Sequence, residues 1–205
     1  MQEGLMASVA PNMRDELARC AGELFSKHGI NNVSLDAIAT KAGVTKGSLY
    51  WHYDSRRELI LAAASQYYRD WQRQAHAEIA STSDPLEQIR RVWRMAVKMC
   101  LFDRSKRVFS TEIFALSLHD SQIRASWAQF YDTVREMFTG LIQAAANAGQ
   151  IQVADPRETA DWALAAFEGM KQRASFESEP CTAQGSERIV EGLMRILHAA
   201  SDQPG

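Results

Sequence analysis

The feature that most constrains this chain is the 3.6-residue spacing of its apolar side chains, which runs through almost every segment after Pro11. No run of alternating β-branched residues competes with it, so the sequence predicts an all-α protein. Leu17, Ala21, Leu24, Phe25 and His28 mark one face of a first helix, which Gly29 ends. Ser34 stands as N-cap to a second helix, marked by Leu35, Ile38, Ala39 and Ala42, and Gly43 closes it after about two turns. Thr45 caps an equally short third. A fourth begins near Ser55, where Glu58 completes a capping box, and continues to about Ile79. The break "ASTSDP" then separates this part from five further periodic segments. Trp93, Phe109, Trp127, Phe167 and Leu193 each lie on the apolar face of one of them. The total is about nine helices.

Within this pattern "VTKGSLYWHYDSRREL", residues 44–59, is unusual. Leu49 and Tyr53, four apart, share one helical face, whereas Lys46, Tyr50, Trp51 and His52 fall on the other. So many large, donor-bearing groups on one short helix call for a partner outside the core. Two short helices joined across Gly43 fit a helix-turn-helix whose second member enters the DNA major groove. Lys46 would neutralise a phosphate, Tyr50 and His52 would donate to phosphate oxygens, and Ser48 and Trp51 would lie against base edges. Gly47, with no side chain, would let the backbone approach the sugar-phosphate wall. A formal net charge of -2 does not point to nucleic acid. Any such footprint must be local: Lys41, Lys46, Arg56 and Arg57 face only Asp54 between residues 41 and 57, a balance that suits a DNA-facing surface and equally a solvated face.

The longer stretch "ELFSKHGINNVSLDAIATKAGVTKGSLYWHYDSRREL", residues 23–59, resembles the DNA-binding domain of the TetR family of bacterial transcription regulators. The matching elements are "LF..HG" at the end of helix one, "S.DAIA..AGV" through helix two, "TKGSLYWHY" as recognition helix and "S.REL" opening helix four. The resemblance implies a three-helix DNA-binding domain over residues 12–58 and a helical ligand-binding and dimerisation domain over 59–201. It implies a homodimer on double-stranded operator DNA. Thr45, Lys46, Ser48, Tyr50, Trp51 and His52 take the family's DNA-facing positions, and Ser34 and Arg56 those of backbone contacts at helix N-termini. Asp36 departs from the many members that carry a cation there. It either accepts from a cytosine amine or favours the helix N-terminus, the second being preferred. "DPLEQIRRV", "EIFALSL" and "AGQIQVADPRETA" are similar to the AcrR-like multidrug-efflux repressor branch. Family architecture puts the dimer interface on the last two helices, residues 155–176 and 186–199, with Phe167, Leu193, Ile196 and Leu197 in a four-helix bundle.

Trp93, Phe109, Trp127, Phe130, Tyr131, Phe167 and Met170 are more large side chains than this core needs. They are candidate walls for a small apolar or cationic effector, although the same stripe also describes plain core. Glu112 shares a face with Phe109, either as an acid awaiting a ligand or as a partner of Arg104 or Arg107. His28, His76, His119 and His198 have no acid or thiol at metal-ligand spacing, and Cys20, Cys100 and Cys181 form neither a zinc knuckle nor a redox dithiol. No catalytic triad or phosphate loop appears in usable context, so no catalytic residue, metal or cofactor is assigned and the chain is not read as an enzyme. The start "MQEGLMASVAPNMRDEL" lacks a basic n-region and an apolar h-region, and no apolar run reaches membrane-spanning length. A soluble cytoplasmic protein is expected. The function expected is a ligand-responsive transcriptional repressor, the alternative a DNA-binding protein without inducer, controlled by a protein partner or by cysteine oxidation.

Overall fold

A computed structural model describes residues 12–178 and 181–199. Among these residues there is no strand, and nine α-helices follow in order. They are α1 (Met13–His28), α2 (Leu35–Lys41), α3 (Lys46–His52), α4 (Arg56–Ala80), α5 (Pro85–Val97), α6 (Arg104–Ser117), α7 (Ser121–Asn147), α8 (Pro156–Arg173) and α9 (Ala183–Ala199). The expected caps form: Ser34 accepts from the Ala37 amide and Thr45 from the Ser48 amide. Asp84, Asp103, Asp120 and Asp155 serve α5 to α8 in the same way. Each satisfies amide donors that have no partner within the helix.

Two local features escape the apolar spacing. A 3-10 turn, Ile30–Asn32, joins α1 to α2. After Val97 the chain widens into one π-helical turn, Lys98–Phe102, where the Asp103 amide donates to the Lys98 carbonyl at 3.1 Å. Met99, Cys100 and Leu101 remain buried through that turn, so the apolar pattern continues while the winding changes.

The chain divides into two compact units, one through Gln66 and the other from Tyr67, and α4 contributes to both. The first packs α1 to α3 and the start of α4 around Leu17, Phe25, Ile38, Leu49, Tyr53 and Leu59, all buried. Gly43 turns α2 into α3 at φ 71°, and a Cβ there would meet nothing within 4 Å. Backbone conformation, not crowding, therefore requires the glycine. The second unit is built on the remaining helices, with Trp93 stacked on Phe138 at 4.1 Å and tilted against Phe167 at 5.5 Å. Side chains of this size, fully buried, each contribute about 1.5–3 kcal/mol. Among the described residues no helix is long and apolar enough to cross a membrane, and no group of His, Cys, Asp and Glu is placed to hold a metal ion.

Candidate nucleic-acid interface and ligand cavity

One face of α3 is an anchor. Leu49 and Tyr53 are each 1% exposed, and the Tyr53 hydroxyl donates to the Arg14 carbonyl at 2.7 Å. The Arg14 guanidinium lies 4.7 Å above the Tyr53 ring and pairs with Glu58. Glu58 in turn accepts from the Asp54 amide at 2.9 Å, while Ser55 Oγ accepts from the Glu58 amide at 3.2 Å. The end of α3 is thereby tied to α1 and α4. The opposite face is open: Tyr50 is 47% and Trp51 82% exposed, with the His52 ring edge-on to Trp51 at 4.9 Å. Lys46 and Gly47 are exposed, Ser48 and His52 half-buried. Ser34 and Thr45 spend an oxygen lone pair on capping, and each hydroxyl keeps an O–H to donate.

The two cations of the expected interface behave differently. Lys46 Nζ lies 2.8 Å from Asp36 Oδ2, and this hydrogen bond raises the Lys46 pKa above the ordinary lysine range. Asp36 thus does more than favour its helix N-terminus: it pairs across the turn with α3. Arg56 stands at a helix N-terminus, the first residue of α4, as the resemblance implied, but its guanidinium turns to the protein's own backbone. Its guanidinium donates to the carbonyls of Val33, at 2.7 Å, and Ile30, and lies 5.6 Å from the Phe25 ring centroid. The irregular segment between α1 and α2 leaves those carbonyls outside any α-helix, and a charged donor satisfies them.

In the second unit, aromatic side chains from α4, α5, α7 and α8 enclose a cavity of about 30 Å³, room for a single water. Lys171 stands in its wall, 2% exposed, with Nζ 2.6 Å from Glu168 Oε2 and 5.3 Å from the Trp127 ring centroid. The Trp93 indole N–H, also in that wall, is buried with no hydrogen-bond partner among the described residues. Tyr67 Oη lies 3.5 Å from Cys100 Sγ, and burial pushes both the phenol and the thiol up. Beside the cavity runs an open groove of about 710 Å³, which shares Trp127, Tyr131 and Glu168 with it. A second groove, about 630 Å³, lies along α8 and α9.

Residues 19–63 match the family described as bacterial regulatory proteins, tetR family, and residues 85–198 match the C-terminal region of BetI-type transcriptional repressors. The second match alone covers more than half of the chain. The chain belongs to the TetR family of transcriptional regulators. It is 30% identical to the regulator TtgR of Pseudomonas putida over 101 residues, 48% of each chain. It is 25% identical to UidR of Escherichia coli over 154 residues, 74% of each. In TtgR and in three further Pseudomonas putida relatives the chain spans less than half of the relative's length. A solved transcriptional regulator from Saccharomonospora viridis, in complex with choline, superposes with a TM-score of 0.78. That pair is 18% identical and covers 88% of this chain and 92% of the other, a likeness of fold alone.

This TetR-family regulator gathers five of its expected ligand residues, Trp93, Trp127, Phe130, Tyr131 and Phe167, at one cavity. Phe109, Glu112 and Met170 lie elsewhere. Phe109 is core, edge-on to Tyr67 at 5.8 Å, and Met170 lines the groove along α8 and α9. Glu112 is half-buried and lines neither the cavity nor the groove beside it. Arg107, one of its expected partners, donates to the Leu101 carbonyl and lies 3.3 Å from Cys181 Sγ. Of the expected dimer residues, Phe167, Leu193 and Leu197 are core, and Leu193 together with the half-buried Ile196 lines the α8 and α9 groove. Sequence reasoning missed Lys171 and Glu168. The signal was present: Lys171 follows Leu164 and Phe167 at helical spacing, so it continues an apolar stripe.

Proposed function

We propose that this regulator is a homodimeric repressor that binds a pseudo-palindromic operator through residues 12–58 and is released when a small molecule occupies residues 59–201. The observation that carries this reading is the open face of α3. A tryptophan 82% exposed on a helix anchored from its other side is a contact surface awaiting a partner. Thr45, Lys46, Gly47, Ser48, Tyr50, Trp51 and His52 would meet the major groove, with Ser34 donating to a phosphate at the start of α2. Arg56 would act from behind, holding the α1 to α2 connection. The BetI-type C-terminal match and the choline-bound neighbour support a small-molecule effector. The AcrR-like segments favour an efflux or detoxification gene as target.

Dimerisation is supported by two stripes of equal spacing. Trp162, Ala166, Gly169 and Arg173 lie along α8, and Gly185, Ile189, Gly192 and Ile196 along α9. Trp162 is 65% exposed, and a Cβ on Gly169 would meet nothing within 4 Å. Small residues flanked by large side chains suit close packing of α8 and α9 against a second copy. Release requires that the effector bind better to a conformation whose two recognition helices no longer match successive major grooves. Helix α4, continuous from one unit into the other, is the element through which binding would act.

Fluorescence titration tests the reading. DNA recovered by selection from genomic fragments should quench Trp51, and in Trp51→Phe that signal should vanish while the remaining tryptophans still respond to effector. Selected DNA that leaves Trp51 emission unchanged would remove the proposed recognition helix.

A further inference from the structure

Lys171 is the only buried charged side chain among the described residues. Its ammonium has given up water for two contacts, the Glu168 carboxylate and the face of the Trp127 ring. The partners of the ion pair are not equivalent. The Lys171 side chain is 3% exposed, whereas that of Glu168 is 29% exposed and opens onto the 710 Å³ groove. A molecule entering from the groove can exchange with either. A cation would take Glu168 and strand Lys171 in an aromatic wall with Trp127 alone. An anion would take Lys171 and release Glu168 into groove water, leaving no buried charge unpaired.

The neighbouring Trp93 N–H points to the same chemistry. It is a donor only, it lines the same cavity, and it is buried without a partner among the described residues, so an acceptor brought into the cavity would meet an unused donor. The groove beyond is walled by Phe114, Leu118, Trp127 and Tyr131, which suit a flat apolar body.

We infer that the effector is a carboxylate with a flat apolar body, whose head replaces Glu168 on Lys171 while the body lies in the groove against Trp127 and Tyr131. The inference rests on the ligand-released repressor proposed above and names its effector class. Of the apolar or cationic effector expected from sequence it removes the cationic option, because the aromatic wall that would attract a cation already holds one. Carboxylate exchanges for carboxylate, so the small cavity need not grow to admit the head.

Calorimetric titration of this 205-residue chain with three matched probes tests it: 2-naphthoate, 2-naphthamide and (2-naphthylmethyl)trimethylammonium. Naphthoate should bind about tenfold or more tighter than the other two. Lys171→Met should abolish that preference, and Glu168→Gln, which removes the competing charge, should tighten naphthoate about threefold or more. Tightest binding of the cation, equal binding of all three, no binding of naphthoate, or a preference that survives Lys171→Met would overturn the inference. Should Lys171→Met not fold, naphthoate affinity unchanged or weakened in Glu168→Gln overturns it equally. Release of operator DNA is measured separately. Naphthoate bound through Lys171 without DNA release upholds the effector class and sinks the repressor mechanism; a cation that binds and releases DNA does the reverse.

Discussion

The Lys46 ammonium sits 2.8 Å from Asp36 Oδ2, ten residues back along the chain and on the preceding helix. The cation proposed to meet a phosphate is therefore already paired in the free protein. Both side chains are largely exposed, so the pair adds little to stability, but binding DNA must share or break it.

Asp36→Asn should leave thermal unfolding nearly unchanged and raise DNA affinity, because Lys46 no longer leaves a carboxylate to reach a phosphate. Lys46→Ala should lower affinity, and the slope of log K against log salt should fall by about one. Anisotropy titrations across a salt series measure both. Unaltered affinity in the two variants would take Lys46 out of the interface.

Gly47→Ala separates fold from contact. A Cβ on Gly47 would meet only Thr45 Oγ1, at 3.8 Å, an ordinary contact. Alanine should therefore stabilise the helix by up to about 1 kcal/mol. DNA affinity should nevertheless fall, because the added methyl holds the backbone off the sugar-phosphate wall. A variant that gains stability and keeps its affinity would show that α3 approaches DNA elsewhere.

Arg56→Ala should act on stability first. Losing charge-assisted hydrogen bonds to the Val33 and Ile30 carbonyls should cost about 2 kcal/mol in denaturant unfolding of the first unit. The salt slope of DNA binding should hardly change. The opposite pattern, full stability with a reduced slope, would restore Arg56 to the phosphate contacts implied by family resemblance.

Ile196→Glu and Leu197→Glu should part company in sedimentation velocity. Ile196 lines the open groove along α8 and α9, so its variant should fold and shift towards monomer. Leu197 is 0% exposed within the single chain, so its variant should unfold, since a charge there is buried and unpaired. A wild-type chain that sediments as a monomer at micromolar concentration would remove the proposed dimer.

Control by cysteine oxidation is tested by thiol reactivity. Burial pushes the Cys20 and Cys100 thiols up, so at pH 8 each holds less of the reactive thiolate than an ordinary cysteine. Half-buried Cys181, beside the Arg107 guanidinium, should react first with a disulfide reagent, and Cys181→Ser should abolish the fast phase. Modification of Cys181 that leaves DNA affinity unchanged would discard redox control.

The sequence by itself determined the nine helices, the caps at Ser34 and Thr45, and the division of α3 into a buried Leu49 and Tyr53 face and an open Tyr50 and Trp51 face. Helical period and capping act over about four residues, so short stretches of chain contain all they need. Only the tertiary structure decided where the long cations go: Lys46 to Asp36, Arg56 to Val33 and Ile30, Lys171 to the face of Trp127. It also decided which aromatics line the cavity, leaving Phe109 in the core and Met170 on another groove. Period assigns a side chain to a face but does not name what faces it. A flexible cationic side chain takes the rotamer that reaches whichever carbonyl, carboxylate or ring the packed helices bring near, and most of those partners come from distant parts of the chain.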